Sequence, residues 1–207
     1  MYKVLIVEDD PMARMLFELF VKESQNYQLI ASIDNADLTD IYCLGEKIDL
    51  IIMDIRTAAY SNGLEASKRI KEKYPTIKII IVTSMPEYSY LEKAKKIGVD
   101  SFWYKEVNKE PFYTLMDRTM EGEHIYPDTT PVVKIGNALS TEFTKRELEI
   151  LKELTSGATN QMIADKLCIT IRTVKAHITH LQEKTGFMNR TELAVKARES
   201  GLVINDE

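Results

Sequence analysis

The segments Val4–Pro11 (VLIVEDDP) and Asp49–Asp54 (DLIIMD) decide the fold of the first half of the chain. Each is a short apolar run that leads into acidic residues. Uninterrupted runs of this length are typical of strands whose two faces are both covered by helices. Three similar runs, Leu29–Ile33, Ile77–Val82 and Ser101–Tyr104, alternate with amphipathic segments. The alternation predicts five β-α units, an α/β fold and a doubly wound parallel sheet with strand order 2-1-3-4-5.

The amphipathic segments predict helices that cover this sheet. In the first of them, apolar residues recur at helical spacing and are expected to face the core: Met12, Met15, Leu16, Leu19 and Phe20. The later helices are expected to bury Ile70 and Tyr74, then Leu91, Ala94 and Ile97, then Phe112, Leu115 and Met116.

Composition excludes several classes of protein. The 207 residues are 44% hydrophobic and 29% charged, which suits two small globular domains and excludes wholesale disorder. No apolar run approaches the roughly 18 residues that span a bilayer, and no signal-peptide pattern opens the chain, so we expect a cytoplasmic protein without a membrane partner. Cys43 and Cys168 lie far apart, which makes a disulfide framework or a zinc ribbon improbable.

Polar residues follow the predicted strands at the edge where such sheets bind ligands. Strands one and three are neighbours in the predicted order, so Glu8 and Asp9 should lie beside Asp54. Clustered carboxylates resist joint ionisation without a cation, and a hard oxygen site suits Mg²⁺. Thr83 ends strand four and Lys105 follows strand five. An aspartate between Mg²⁺ and an ammonium group is equipped to attack a phosphoryl group.

These segments, together with IIIVTS and GVDSFWYK, resemble a response-regulator receiver domain of the flavodoxin-like (βα)5 type over residues 1–121. The resemblance implies that Asp54 accepts a phosphoryl group from a sensor histidine kinase. It also implies that Mg²⁺ is held by Glu8, Asp9, Asp54 and the backbone carbonyl of Arg56. Such a domain is not an enzyme in the usual sense, and at most it hydrolyses its own phosphoryl group slowly.

The resemblance further implies a switch. In receivers the phosphoryl group draws in a hydroxyl, here Thr83, and an aromatic residue three positions before Lys105, here Phe102, turns inward behind it. Phe102 is equally compatible with an ordinary core position. Asp10 is open to two interpretations, as a metal ligand or as a cap of the first helix.

The chain departs from the receiver pattern after the acceptor. Thr57-Ala58 stand where Met-Pro is common, and Gly63 lies nine residues beyond Asp54, one more than is usual. The loop is therefore expected to have its own shape. Arg56 has two interpretations, as a cover for the site or as a solvated surface residue. The departures leave open an alternative function, that of a phosphorylation-independent DNA-binding transcription factor.

Residues 122–141 lose the periodicity and contain Gly122, Pro127, Pro131 and Gly136, which predicts a linker. Residues 142–207 show four helical patterns and no strand, so an all-α domain is expected. Capping-box spacings at Thr144/Glu147 and Asn189/Glu192 mark helix starts.

A basic stripe lies within this domain, although the whole chain has a net charge of −5. Seven basic residues against two acidic ones fall within 166–198. Charge alone leaves a solvated face and a phosphate-binding face equally open. The segment 160–185 has the proportions of a helix-turn-helix. Its second helix should turn Ile171, Val174, Ile178 and Leu181 inward and present Arg172, Thr173, Lys175, Ala176, Thr179 and His180.

The pieces TKRE, GATNQMIA, TVKAH and NRTELA make this domain resemble the LuxR-type helix-turn-helix, so that the whole chain resembles a NarL/FixJ-type response regulator. The resemblance implies binding to double-stranded DNA. Base-edge contacts fall to Lys175, Ala176 and Thr179, and backbone contact or positioning to Asn160, Thr173, His177 and Arg190. The last helix is similar to the part that pairs two copies on DNA, so we expect a homodimer whose pairing surface includes Leu193 and Ala197.

Other functions fit less well. A dehalogenase-type phosphatase would need a second acid two residues after Asp54, where Arg56 stands. The eight glycines form no phosphate-binding loop, which argues against a nucleotide or flavin binder. His177 and His180 lack a third ligand, so a metal there is not expected. Phosphorylation is expected to act on transcription either by uncovering the helix-turn-helix or by driving dimerisation.

Overall fold

A computed structural model of the chain describes residues 1–105 and 111–204. The chain divides into two compact units. The first is built from residues 1–84 and 89–129, and the second from residues 85–88 together with residues from 130 onward. No helix in the described part of the chain is long and apolar enough to cross a membrane.

The first unit contains a five-stranded parallel sheet with the order β2-β1-β3-β4-β5, as the apolar runs predict. The strands are β1 (Tyr2–Val7), β2 (Tyr27–Ile33), β3 (Leu50–Asp54), β4 (Lys78–Thr83) and β5 (Ser101–Tyr104). β1, β3 and β4 are almost wholly buried, because helices cover both faces of the sheet. This topology brings the carboxyl ends of β1 and β3 together.

In the described residues of this unit, five helices flank the sheet: α1 (Pro11–Glu23), α2 (Thr39–Gly45), α3 (Gly63–Lys73), α4 (Tyr90–Ile97) and α5 (Phe112–Met120). Two short 3-10 helices, Ala36–Leu38 and Ala58–Tyr60, lie in the connections. Five of the predicted inner residues are buried, Ile70, Ala94, Phe112, Leu115 and Met116, whereas Tyr74, Leu91 and Ile97 are only partly buried. The fold class expected from the sequence is thus confirmed for this unit.

The predicted inner face of α1 is wrong. Four of its residues are exposed instead: Met12, Met15, Leu16 and Leu19. The buried residues are Phe17 and Val21, and Phe20 packs on the core only in part. α1 has apolar residues on nearly every side, so spacing alone does not select a face. The ring of Phe17 lies 4.9 Å from Phe112 and 6.4 Å from Trp103, and this aromatic packing selects the inner side.

The chain remains attached to the sheet after α5. Ile125 forms a parallel bridge with Ser101, and its carbonyl accepts a hydrogen bond from the backbone N of Phe102 at 2.8 Å. The Tyr126 hydroxyl donates to the carbonyl of Val99. The first part of the segment interpreted as a linker therefore lies along the outer edge of β5.

Up to residue 204, where its description ends, the second unit contains four helices: α6 (Lys145–Thr155), α7 (Asn160–Lys166), α8 (Ile171–Thr185) and α9 (Arg190–Glu199). A short hairpin of β6 (Lys134–Ile135) and β7 (Ala138–Leu139), followed by a 3-10 turn, precedes them. Thr144 and Glu147 form the predicted capping box at the start of α6. Asn189 caps α9 by accepting a hydrogen bond from the backbone N of Glu192 at 2.9 Å.

The two residues expected on the pairing surface of α9 do not lie on the surface of the protein. Leu193 and Ala197 are completely buried in the core of their own unit. Val195 and Lys196 lie on the exposed side of the helix. A second copy therefore has no access to Leu193 or Ala197, and any contact through α9 involves the other side.

Candidate metal centre and nucleic-acid interface

Three carboxylates meet where β1 and β3 end. Val7 is in register with Met53, so Glu8 and Asp54 follow on adjacent strands. Carboxylate oxygens of Glu8, Asp9 and Asp54 all lie within 4.8 Å of one another. Glu8 is fully buried, Asp54 is 8% exposed, and Asp9 faces solvent. The sequence predicted this juxtaposition from strand order alone, and a set of hard oxygen ligands of this kind fits Mg²⁺.

Lys105 contacts two of these carboxylates. Its Nζ lies 2.6 Å from an oxygen of Glu8 and 2.9 Å from one of Asp54. The backbone N of Lys105 donates to the carbonyl of Thr83 at 3.0 Å, which extends the pairing of β4 with β5 and fixes the position of the lysine. Burial acts to lower the pKa of Lys105, but the charge of Asp54 and the hydrogen bonds that Lys105 donates to both carboxylates raise it overall. The lysine therefore remains an ammonium group.

The carboxylates resist joint ionisation. Burial, followed by the charge of Asp54, raises the pKa of Glu8 to about 7, although Lys105 opposes this. Burial also raises the pKa of Asp54, against the opposing charge and hydrogen bond of Lys105. The ammonium group of Lys105 thus offsets the cost of ionising these buried carboxylates only in part. A divalent cation would favour the ionised form of both carboxylates.

Asp10 caps α1. One of its side-chain oxygens accepts a hydrogen bond from the backbone N of Ala13 at 2.7 Å. The three-carboxylate cluster does not include it. Of the two interpretations left open by the sequence, the structure supports the helix cap.

The backbone of Arg56 forms part of a small hairpin beside the acceptor. Arg56 and Asn62 form an isolated antiparallel bridge, and Gly63 N donates to the carbonyl of Ile55 at 2.8 Å next to it. The residues on either side of Arg56 and Asn62 make the hydrogen bonds of this pair. The peptide N–H and carbonyl of Arg56 therefore point away from Asn62. Within residues 1–105 and 111–204, no hydrogen bond uses the Arg56 carbonyl. That oxygen is thus available to another group, while the Arg56 side chain is exposed.

The sequence did not reveal why a glycine is required at position 63, next to the acceptor. A Cβ at this position would lie 1.9 Å from the carbonyl oxygen of Asp54. No side chain fits there, so the glycine allows α3 to begin directly against the backbone of the acceptor. Only the spacing of Gly63 was visible in the sequence. Its close approach depends on how the preceding loop folds.

The loop between β3 and α3 has the individual shape that its sequence suggested. The backbone N of Ala36 is placed to donate to the hydroxyl oxygens of Thr57 (3.0 Å) and Ser61 (3.1 Å), which ties the loop to the end of β2. Ala59 and Tyr60 have φ values of 57° and 58°, in the left-handed region that non-glycine residues rarely adopt. Tyr60 is 99% exposed at the tip.

Thr83 and Phe102 lie where the switch hypothesis requires them, on adjacent strands. Both are buried, with Thr83 at the end of β4. Ile81 is in register with Phe102, and the ring of Phe102 packs 5.0 Å from that of Tyr104. The buried position of Phe102 agrees with its interpretation as a core residue. It agrees equally with a side chain that moves when Asp54 is phosphorylated, so it does not decide between the two interpretations.

The outward face of α8 largely matches the prediction. Val174, Ile178 and Leu181 are buried, whereas Ile171, also predicted to face inward, is 38% exposed. The residues on the exposed face are Arg172, Lys175, Ala176, Thr179 and His180. Thr170 caps this helix by accepting from the backbone N of Thr173 at 3.1 Å. α7, the short turn of residues 167–170 and α8 have the order and lengths of a helix-turn-helix.

Arg190 and Asn160, two of the residues predicted to contact the DNA backbone or to position those that do, are hydrogen-bonded to each other. The guanidinium of Arg190 donates to the side-chain oxygen of Asn160 at 3.1 Å and to the carbonyl of Ala158 at 2.8 Å. This contact joins the start of α9 to the start of α7. Thr173 and His177 are partly exposed on α8.

Comparison with known proteins gives matches over both units. The family model "Response regulator receiver domain" matches residues 4–117, and the model "Bacterial regulatory proteins, luxR family" matches residues 141–197. The chain is 30% identical over 196 residues to the Fimbriae Z protein of Escherichia coli K12, with 92% of this chain and 93% of that protein covered. It is 28% identical over 207 residues to the response regulator protein VraR of Staphylococcus aureus Mu3, with 97% and 98% covered.

Solved structures share the fold. RcsB from Salmonella enterica serovar Typhimurium, bound to promoter rprA in the presence of the phosphomimetic BeF3⁻, has a TM-score of 0.63 at 18% identity. The match covers 95% of this chain and 98% of that one. The response regulator ChrA of a heme-sensing two-component system gives a TM-score of 0.51 at 22% identity, with 95% and 96% covered.

Proposed function

The chain belongs to the response-regulator family that joins a receiver domain to a LuxR-type DNA-binding domain, and we propose that it regulates transcription under the control of phosphorylation at Asp54. The observation that carries this proposal is the contact of one ammonium group, Lys105, with both Glu8 and Asp54 beside a third carboxylate. Such a site is suited to receive a phosphoryl group, and Arg56 stands where a dehalogenase-type phosphatase would need its second acid.

The proposed reaction transfers a phosphoryl group from a phosphohistidine of a sensor histidine kinase. A carboxylate oxygen of Asp54 forms a bond to phosphorus while the phosphorus–nitrogen bond breaks, and the imidazole nitrogen that leaves takes up a proton. Lys105 lies close enough to contact a phosphoryl oxygen on Asp54. The Thr83 hydroxyl is the proposed donor to another. No redox change accompanies the transfer, and self-hydrolysis of the product is expected to be slow.

Mg²⁺ is the proposed cofactor. Its ligands would be Glu8, Asp9, Asp54 and the carbonyl of Arg56, which within the described residues accepts no hydrogen bond. Bound there, the ion would offset negative charge on the phosphoryl oxygens. The raised pKa values of Glu8 and Asp54 support this proposal, because burial disfavours the ionised form of both carboxylates and Lys105 opposes this only in part.

The proposed output is double-stranded DNA bound by a homodimer. Lys175, Ala176 and Thr179 are the proposed base-edge contacts of α8, and Thr173, His177, Asn160 and Arg190 contact the backbone or position those that do. The exposed basic residues of the second unit supply charge for phosphate contacts. Phe102 and Thr83 are the proposed switch that links phosphorylation to this output.

The proposal is tested by incubating the full chain with Mg²⁺ and acetyl phosphate and measuring intact mass. Wild type should gain one phosphoryl group, and Asp54→Ala should not. The matched control is Asp128→Ala, which removes an exposed aspartate outside the carboxylate cluster and should leave phosphorylation unchanged. Chelation of Mg²⁺ should abolish the gain.

The alternative has its own outcome in this test. If wild type stays unmodified with acetyl phosphate and with phosphorylated histidine kinases, the proposed receiver chemistry is wrong. The chain is then a phosphorylation-independent DNA-binding transcription factor.

A further inference from the structure

The hydroxyl of Thr179 on α8 is used inside its own helix. Its Oγ1 donates to the backbone carbonyl of Lys175, one turn earlier, at 3.1 Å. Thr179 is nevertheless an exposed residue. A hydroxyl that bonds back to the preceding turn leaves the γ-methyl group as the outward part of the side chain. On this helix, Thr179 therefore presents a methyl group where its residue type suggests a polar contact.

The surroundings of this methyl group make an apolar spot beside a cation. Ala176 lies three residues earlier and is also exposed, so its methyl group is on the same face of the helix. Lys175 is exposed next to them. In the part of the chain that the structure describes, no carboxylate pairs with its ammonium group. The face thus combines one positive charge with two adjacent methyl groups.

This combination has a specific counterpart in DNA. In the major groove, thymine is the only standard base that presents a methyl group, and the methyl groups of Thr and Ala are suited to contact it. We propose that the γ-methyl group of Thr179 packs against the 5-methyl group of a thymine, which makes Thr179 a specificity determinant for thymine at one position of each half-site. This inference rests on the proposed function, since it requires α8 to enter the major groove.

The test first obtains a site and then removes single methyl groups from it. Duplexes that bind the full-length protein are selected from a randomised pool, and their affinity is measured by fluorescence anisotropy. Each thymine of the selected site is then replaced, one at a time, by deoxyuridine, which differs only by the 5-methyl group. At one thymine per half-site we expect affinity to fall about fourfold, the factor for burial of one methyl group.

Two variants assign this methyl contact to Thr179. Thr179→Val keeps a methyl group and removes the hydroxyl, so it should bind the thymine duplex as wild type does and retain the fourfold preference over deoxyuridine. Thr179→Ser keeps the hydroxyl and removes the methyl group, so it should bind the two duplexes equally. The pair separates the two chemical groups of one side chain without a large change in volume.

Three outcomes would count against the inference. Equal binding of wild type to every deoxyuridine duplex would mean that no thymine methyl group is read. Retention of the preference by Thr179→Ser, or its loss in Thr179→Val, would assign recognition to the hydroxyl or to another residue. If no duplex is enriched at all, the proposed DNA contact of α8 fails, and that result differs from sequence-specific binding without methyl recognition.

Discussion

Substitution of Gly63 by alanine should damage the acceptor site through the backbone rather than through a functional group. The new Cβ would lie 1.9 Å from the carbonyl oxygen of Asp54 and 2.9 Å from the side chain of Met53. Contacts below 3.0 Å are essentially absent from real Cβ atoms. Either the start of α3 or the end of β3 must therefore move by about 1 Å, a distance comparable with the overlap.

The size of the effect follows from a comparison with Gly45→Ala. Nothing lies within 4 Å of a Cβ at Gly45, the last residue of α2. Both substitutions reduce the freedom of the unfolded chain to a similar extent, so that contribution cancels between them. The remaining difference is the cost of overpacking at Gly63, about 1–3 kcal/mol. With a urea m-value of about 1–3 kcal/mol/M, the midpoint of unfolding should fall by about 1 M relative to Gly45→Ala.

The assay uses the single tryptophan of the chain. Trp103 lies in β5, so its fluorescence during urea unfolding reports on the unit that contains Gly63. Phosphorylation from acetyl phosphate is followed by intact mass under native conditions. A shift of about 1 Å in a reacting group can cost on the order of 100-fold in rate, so slow phosphorylation should accompany the lower midpoint.

The reasoning would be refuted if Gly63→Ala unfolded at the same urea concentration as Gly45→Ala and was phosphorylated at the wild-type rate. A lower midpoint with normal phosphorylation would refute only the second half, because it would mean that α3 moves while Asp54 stays in place.

Two further outcomes are expected from burial. Leu193→Glu places a charge in the core of the second unit, so it should lower the free energy of unfolding by more than about 4 kcal/mol. The far-UV circular dichroism of the helices in that unit should then be lost. Val195→Glu, on the exposed side of α9, should leave the spectrum unchanged. Equal spectra for both variants would contradict the packing of α9. Burial raises the pKa of the Cys43 thiol to about 11. At pH 8, iodoacetamide should therefore modify the exposed Cys168 and reach Cys43 only after unfolding. Rapid modification of both thiols in the native protein would contradict the burial of Cys43.

Much of the first unit could be predicted because its signals are local. The centres of β1, β3 and β4 are continuous runs of Ile, Val, Leu and Met, and all five strands appear within a few residues of their predicted bounds. The cluster of Glu8, Asp9 and Asp54 follows from strand order, since residues after adjacent parallel strands must meet. The contacts of Lys105 follow from the same argument.

Other features depend on tertiary contacts that the sequence does not encode locally. The inner face of α1 is selected by aromatic partners on β5 and α5, and spacing gave the wrong side. Leu193 and Ala197 were assigned to a pairing surface by resemblance, but the packing of α9 on its own unit buries them. Thr179 was predicted to face outward and does so, but a sequence does not reveal that its hydroxyl is hydrogen-bonded to the preceding turn.

The position of Ile125 along β5 has a consequence for how copies of this chain can associate. An outer strand with unpaired peptide groups is a template to which another chain can add a strand. Here the chain itself occupies that template, since the carbonyl of Ile125 accepts from the backbone N of Phe102 and the backbone N of Ile125 donates to the Ser101 hydroxyl oxygen. Edge-to-edge sheet extension through β5 is therefore blocked as long as Ile125 stays in place. A fragment cut directly after α5 would expose this edge and should aggregate more readily than one that extends to residue 129.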